Sequence, residues 1–431
     1  MEQVLGRRLT APVYETGRPG PLWEQGIALV WFVVTMTDVP FATPLRYLCV
    51  LYYLGTFGWY YREMLPVLTR AWPIVVLPVM GLVSFLWSEY PGAAIDSGIF
   101  RVITILIIVV LVQRLTLTQL FRTLLLSGLI ITLYALSLGS LETGEPFMHK
   151  NQLGVHMMLT LVLALSAALD RELPLWHRSL GAVFTPVCAY IVLATGSATS
   201  LVVMVLGVLG IFAARFFWTD LATIRHLRTL MTLTALAIIL AVVPIVAGLP
   251  MGQIYEDFVI SLGKDPSLTG RTDIWMFADM AAEQRPWLGH GLGGFWQDDV
   301  SLAQTININD HKPVGTKLGF HNAFLEVRVD LGYVGLAIFL FTIAWLFSRT
   351  LRAWLAAPNM LNSAALILAL CAIVFSFAES LLTKQFNMLV HLYYLPALAA
   401  FGASYRQYLG EATITELPNE VPGGRIELVS R

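Results

Sequence analysis

Apolar runs close to 20 residues long recur between residues 24 and 406, and they constrain the fold of this chain more than any other feature. A run of about 20 apolar residues can cross the hydrocarbon core of a bilayer as a helix. Hydrophobic residues make up 57% of the chain and charged residues 13%, whereas soluble proteins carry about 25% charged residues. The sequence therefore predicts an all-α polytopic membrane protein embedded in a lipid bilayer.

About twelve segments are long enough, or nearly so, to span. They are 24–41, 43–60, 71–88, 98–113, 118–138, 152–169, 180–196, 199–217, 229–249, 331–348, 361–378 and 387–406. The segment 98–113 is short for a span, and the region 180–217 can be divided differently.

Lys and Arg are concentrated in alternate connections between these segments. Such residues mark the cytoplasmic side of a membrane protein. We therefore expect a cytoplasmic tail at 1–22, nine spans within 23–250, a large periplasmic loop at 251–320 between spans nine and ten, three spans within 321–407, and a second cytoplasmic tail at 408–431. Residues 1–22 have no apolar core of the kind that a cleavable signal peptide requires.

The outer loop contains a plausible amphipathic helix beginning near Arg271. Ile274, Trp275, Phe277 and Ala281 recur there at helical spacing. A helix start favours anions, and an Arg adds a planar fork suited to phosphate oxygens. The alternative is that Arg271 pairs with a nearby acid on a solvated face.

Two further groups on the predicted outer side are candidates for binding or catalysis. Lys150, beside His149 and Asn151, could donate to a phosphate or sugar oxygen. The alternative is that Lys150 binds no ligand and extends its ammonium group to the membrane interface. His321 lies where the long loop returns to the membrane, and a neutral imidazole can accept a proton from a sugar hydroxyl. Asn322 could orient that ring or bind the sugar.

Other residues of the loop compete for these roles. His290, His311 and His149 are alternative bases, while His321 itself could be a satisfied interfacial histidine. The glycine-rich segment 289–294 follows no predicted strand, so we interpret it as a turn rather than a nucleotide loop. The aromatic residues near it could stack on sugars or pack at the membrane interface.

Four motifs in these regions resemble the O-antigen ligase and polymerase superfamily of bacterial glycan enzymes (the Wzy and WaaL type). The segment 321–335 fits the ligase-type pattern H-[NSQ]-x9-G-x2-[GTY], and 269–275 (TGRTDIW) is similar to a G-R-x-x-x-W segment. The segment 285–289 (RPWLG) matches a turn of that family. The segment 147–154 (FMHKNQLG) resembles ExoQ-like exopolysaccharide polymerases.

The resemblance implies a metal-independent, inverting glycosyltransferase without cofactors. It would transfer a glycan from undecaprenyl diphosphate at the periplasmic face of the inner membrane. Arg271 and His321 would be catalytic. The substrate would be bound by Lys150, Asn322, Arg285, His290 and Asn151. Partners would be the undecaprenyl-diphosphate-linked oligosaccharide and the bilayer, with a chain-length regulator or flippase as candidates and no nucleic acid.

The acceptor is left open by the motifs. A polymerase transfers a growing chain to another lipid-linked repeat, whereas a ligase transfers polymer to lipid A-core. The histidine-lysine-asparagine segment favours the polymerase. A polysaccharide or lipid-linked glycan transporter is the alternative from another class, since twelve helices fit it equally well.

Overall fold

The computed structural model describes residues 20–37, 41–138, 141, 149–215, 271–309 and 311–402. Within these ranges the chain is helical and contains no strand. The α-helices, in chain order, are α1 Leu22–Thr35, α2 Ala42–Trp59, α3 Tyr61–Arg70, α4 Pro73–Val83, α5 Pro91–Arg114, α6 Leu117–Leu138, α7 Lys150–Leu169, α8 Leu175–Ala194, α9 Ala198–Ala213, α10 Arg271–Gln284, α11 Ser301–Asn309, α12 Ala323–Ala356, α13 Met360–Ser376 and α14 Met388–Ala399.

Five of these helices, α5, α6, α7, α8 and α12, are long and apolar enough to cross a membrane. Helix α3 and the segment Pro73–Leu86 also qualify together, but the chain bends by 96° between them. Helices α1, α9, α13 and α14 are apolar but shorter, and α2 is in neither group. The chain is therefore a membrane protein with several apolar helices. The number of twelve spans stays a prediction, and the predicted span 229–249 lies outside the described residues.

Helix α7 lies at the centre of the bundle. It packs against α6, α8, α9 and α13, and nearly all its residues from Leu153 to Ala167 are buried. Helix α12 packs against α4, α13 and α14, while α5 packs against α2, α4 and α14. The N-terminal ends of α7 and α12 thus both belong to the central part of the molecule, where they can present polar side chains to one site.

The described part of the predicted loop 251–320 forms a small layer with its own core. The buried faces of α10 and α11 pack around Phe295, Trp296 and Phe320. Ile274, Ala278, Ala281 and Ala282 form the buried face of α10, which occupies the region where the sequence predicts a helix. This layer packs on α12 through α10, which places the loop motifs next to the start of α12.

Several predicted boundaries differ from the observed ones. Helix α5 begins at Pro91, so the segment predicted as 98–113 is a full 24-residue helix. Helix α12 begins at Ala323, whereas the sequence predicted a start near residue 331. The prediction was late because charged residues in the first turns interrupt the apolar pattern. The division within 180–217 is confirmed. A turn with Gly196 at φ +61° separates α8 from α9.

Candidate active site

His321 and Asn322 form the entrance to α12. Asn322 is the N-cap, and its side-chain oxygen accepts hydrogen bonds from the backbone N–H groups of Phe324 (3.0 Å) and Leu325 (3.2 Å). Asparagine is among the best residues for this purpose. His321 precedes the cap in a left-handed backbone conformation with φ +49°. The short loop therefore holds the imidazole at the N-terminal end of α12 rather than along the side of the helix.

A carboxylate lies beside the imidazole of His321. The Nδ1 atom is 3.1 Å from a carboxylate oxygen of Glu379, which follows α13. The histidine side chain is 31% exposed and the glutamate 13%. A carboxylate at Nδ1 favours the tautomer that carries its proton there, which leaves the Nε2 lone pair available as a base. Glu379 was not predicted from the sequence as a residue of the site.

The start of α7 lies close to this pair. His149 is the N-cap of α7, and its Nδ1 accepts from the backbone N–H of Asn151 at 3.2 Å. Burial and the adjacent Lys150 ammonium lower the pKa of His149, while the Glu379 carboxylate opposes that shift and His321 adds to it. The predicted groups around Lys150 and His321 are thus brought together, and the Lys150 side chain is exposed.

Helix α10 is tied directly to the His321 loop. The indole N–H of Trp275 donates to the carbonyl of Phe320 at 3.0 Å. The tryptophan of the 269–275 motif therefore supports the residue before the histidine. Arg271 begins α10, one turn before Trp275. Its side chain lies outside the described atoms, so its predicted anion contact stays a prediction.

The two glycines of the 321–335 motif shape a break in α12. Gly332 has φ +66° and ψ −166°, which is not helical. The turn 285–291 inserts at this break. The carbonyls of Val329 and Asp330 accept from the backbone N–H groups of His290 (3.0 Å) and Gly291 (2.9 Å).

The same turn also accepts hydrogen bonds from the backbone N–H groups that follow the break in α12. The N–H groups of Tyr333 and Val334 donate to the carbonyls of Pro286 (2.8 Å) and Trp287 (3.2 Å). A Cβ atom at Gly332 would overlap the Trp287 carbonyl, and one at Gly335 would overlap the Leu331 side chain. The glycines thus allow two segments to join by backbone hydrogen bonds, as a broken helix in a membrane requires.

Arg285 and His290 have partners within the protein. The Arg285 guanidinium contacts the Glu89 carboxylate and donates to the Trp87 carbonyl at 3.3 Å. The His290 Nε2 lies 2.9 Å from the carbonyl of Ala281. Burial lowers the pKa of His290, so the ring is neutral and donates this bond. The segment 289–294 is a series of turns with positive φ at three glycines, as interpreted from the sequence.

A cavity of about 460 Å³ lies beside the His321 loop. This volume is typical of small-molecule sites, which span about 300–1,000 Å³. Its wall comes from the end of α1, from α2, α5, α7 and α12, and from three connecting segments. The charged and polar lining residues include Arg46, Ser97, Arg101, Gln152, His156, Lys317, Glu326, Asp330, Lys384, Gln385 and Asn387.

Much of the polar lining already has partners. The Arg46 guanidinium donates to the carbonyls of Val34 (2.8 Å) and Thr37 (3.1 Å). Asp330 accepts from the backbone N–H of Gly293 at 3.1 Å. Arg101 differs, because its closest approach to Asp330 is 3.9 Å and its buried Nε has no partner among the described residues. The buried Nδ1 of His156 is also unpartnered there.

These unmet groups indicate what the cavity can bind. The buried Nε of Arg101 has no acceptor among the described residues, and the ammonium groups of Lys317 and Lys384 are exposed at the same cavity. Buried polar atoms in proteins are nearly always paired. The lining therefore favours an acceptor-rich ligand such as an oxyanion. Among the described residues, no group of three or more His, Cys, Asp or Glu side chains is placed to hold a metal ion.

A smaller cavity of about 130 Å³ lies at the opposite end of α7. Its lining includes Arg122, Asp170 and His177. A helix of 20 residues is about 30 Å long, so this cavity is separated from His149 by the length of α7. We therefore assign the candidate site to the end of the bundle that carries His321.

The chain is similar to known polysaccharide proteins. Residues 183–340 match the O-antigen ligase family. The exopolysaccharide production protein ExoQ of Rhizobium meliloti is 25% identical over 305 residues, which cover 68% of each chain. A candidate polysaccharide ligase of Rickettsia felis is 33% identical over 79 residues, covering 18% of this chain and 19% of that protein. The resemblance carried by the motifs is thereby confirmed: this membrane protein is similar to the O-antigen ligase family and to ExoQ.

Proposed function

We propose that the protein is a surface-polysaccharide polymerase of the bacterial inner membrane. It transfers a glycan from undecaprenyl diphosphate to a hydroxyl of another lipid-linked repeat, at the periplasmic face. The twelve spans, the cytoplasmic termini and the periplasmic position of the loop 251–320 belong to this proposal. The observation that carries it is the pairing of His321 with Glu379 beside a cavity whose lining includes Arg101, Lys317 and Lys384.

The reaction needs a base for the acceptor and charge neutralisation for the leaving group. In the proposed step, the acceptor oxygen forms a bond to the anomeric carbon of the donor while the bond from that carbon to the diphosphate breaks. Nε2 of His321 takes the acceptor proton, and Glu379 stabilises the resulting imidazolium. Attack opposite the leaving group inverts the anomeric centre. No metal is required, because a diphosphate leaves readily when cations neutralise its charge.

The cation-lined cavity is suited to the leaving diphosphate. The buried Nε of Arg101 has no partner among the described residues, and Lys384 and Lys317 add positive charge to the lining. Lys150 lies on the His321 side of the site, and Arg271 begins the helix that supports the same loop. We propose that these two residues contact the diphosphate or the first sugar as the reaction proceeds.

Three of the predicted substrate-binding residues have other contacts that suggest different roles. Asn322 caps α12, Arg285 contacts Glu89, and His290 donates to Ala281. We propose that Arg285 and His290 hold the 285–291 turn against the break in α12. Asn151, whose backbone N–H binds His149, stays a candidate sugar contact through its half-buried side chain.

The test is a reaction of the purified protein with lipid-linked repeat units extracted from the host. The wild type is expected to produce a ladder of longer lipid-linked glycans. His321→Asn should abolish the ladder, because asparagine tolerates the left-handed backbone but cannot act as the base. His311→Asn is the matched control, since exposed His311 has φ +53° in the same loop. Full activity of His321→Asn would contradict the catalytic assignment.

Two alternatives have distinct outcomes in the same system. A ligase would leave lipid-linked repeats unchanged but transfer preformed polymer to added lipid A-core, and the family match favours this as the second candidate. A transporter would move lipid-linked glycan across a liposome membrane without joining two glycans. His321 and Glu379 lie in the loops before α12 and after α13 rather than at the break in α12, which argues against transport.

A further inference from the structure

Glu326 lies one turn into α12 and accepts hydrogen bonds from three separate segments. One carboxylate oxygen accepts from the backbone N–H of Phe320 at 2.8 Å and from the hydroxyl of Ser380 at 3.2 Å. The other accepts from the indole N–H of Trp296 at 3.3 Å. A half-buried carboxylate with three donors is a strong anchor, because bonds to charged groups are the stronger ones.

The residues bound by Glu326 are the chain neighbours of the proposed catalytic pair. Phe320 precedes His321, and Ser380 follows Glu379, and both bind the same oxygen. His321 and Glu379 are 58 positions apart and lie in two different loops. No helix contains both of them, so their 3.1 Å contact depends on what joins the loops.

The backbone conformation at His321 also depends on contacts that hold the loop in place. A residue with a side chain at φ +49° is held in an uncommon conformation by its surroundings. The bonds from Phe320 to Glu326 and from Trp275 to Phe320 fix the residue immediately before it. Small misplacements of a catalytic group can lower a rate by about a hundredfold.

We propose that Glu326 is a positioning residue that sets the geometry of the His321–Glu379 pair. This rests on the proposed function, in which that pair is the base. Glu326 also lines the cavity, so a direct contact with substrate is the competing role. A positioning role predicts a lower kcat with an unchanged KM, whereas a substrate contact predicts a higher KM.

The test uses Glu326→Gln in the full-length protein with the lipid-linked repeat unit. The amide oxygen can still accept from Phe320 and Ser380, but the amide nitrogen then faces the N–H of Trp296. The contact between the amide N–H of the new glutamine and the indole N–H of Trp296 should displace the loop that carries His321. We therefore expect kcat to fall about tenfold while KM changes less than about twofold. Trp296→Phe alone removes the N–H and should have a small effect.

The double variant separates positioning from other roles. In Glu326→Gln/Trp296→Phe the two donors no longer meet, so kcat should recover to within about threefold of Trp296→Phe. Unchanged kcat in Glu326→Gln, a change in KM alone, or no recovery in the double variant would each overturn the proposal. Ser380→Ala, which removes one of the three bonds, should lower kcat less than Glu326→Gln. If Glu326→Gln does not fold, full kcat in Ser380→Ala overturns the proposal instead.

His321→Asn, assayed in parallel, separates this proposal from the proposed function. An active His321→Asn means that the pair is not the base, whatever Glu326 does. An inactive His321→Asn together with a fully active Glu326→Gln means that the base assignment stands and the positioning role fails.

Discussion

Gly332→Ala should be among the most damaging small substitutions in the described part of the chain. The residue occupies φ +66° and ψ −166°, a region open almost only to glycine. An added Cβ would overlap the backbone carbonyl of Trp287, which cannot rotate away as a side chain can. Either α12 must straighten or the turn 285–291 must leave it.

The free-energy cost follows from what is lost. The backbone conformation alone costs a non-glycine residue about 1–3 kcal/mol. Four backbone hydrogen bonds join the turn to α12, and each contributes about 0.5–1.5 kcal/mol, more where no water can replace it. We therefore expect a loss of at least about 3 kcal/mol, a large part of the stability of a typical protein.

The assay is the apparent melting temperature and monodispersity of purified protein in detergent. Gly332→Ala should aggregate or melt well below the wild type and lose polymerising activity. Gly55→Ala in α2 is the control, since an added Cβ there meets nothing within 4 Å. A Gly332→Ala protein that melts with the wild type would refute the structural role given to the break.

Three further outcomes are expected. Arg101→Gln should raise the KM for the lipid-linked donor at least about tenfold, because the buried guanidinium is the proposed diphosphate contact; an unchanged KM would exclude it. Burial holds the pKa of His290 below its ordinary value of 6.5, so the unfolded chain binds a proton first as pH falls and the folded state loses stability below about pH 6.5. Between about pH 6.5 and pH 5, the apparent melting temperature of His290→Gln should fall less than that of the wild type. An equal fall in the two proteins would contradict this. Activity should survive EDTA, and a loss restored by Mg²⁺ would count against the metal-free step.

The sequence was sufficient for the membrane class, because that class depends on local patterns of apolar residues. The spacing of Ile274, Trp275, Phe277 and Ala281 predicted α10, whereas the start of α12 was predicted near residue 331 and lies at Ala323. Such patterns are visible wherever an apolar face repeats within one helix.

Contacts between distant segments could not be predicted in the same way. Glu379 is 58 positions from His321, and a lone glutamate in a short outer connection has no pattern that points to a histidine. The charged residues Glu326, Arg328 and Asp330 concealed the first two turns of α12. Glu326 and Asp330 bind neighbouring loops and line the cavity, whereas Arg328 contacts Asp279 of α10. The break at Gly332 was likewise hidden, since the apolar run continues through it.

The most direct measurement is the lipid-linked glycan that accumulates when the gene for this chain is deleted in its own host. Polymerisation by this protein predicts single repeats on undecaprenyl diphosphate, with wild-type glycan restored by the His311→Asn variant but not by His321→Asn. Long polymer that stays on the lipid would contradict the polymerase and indicate a ligase.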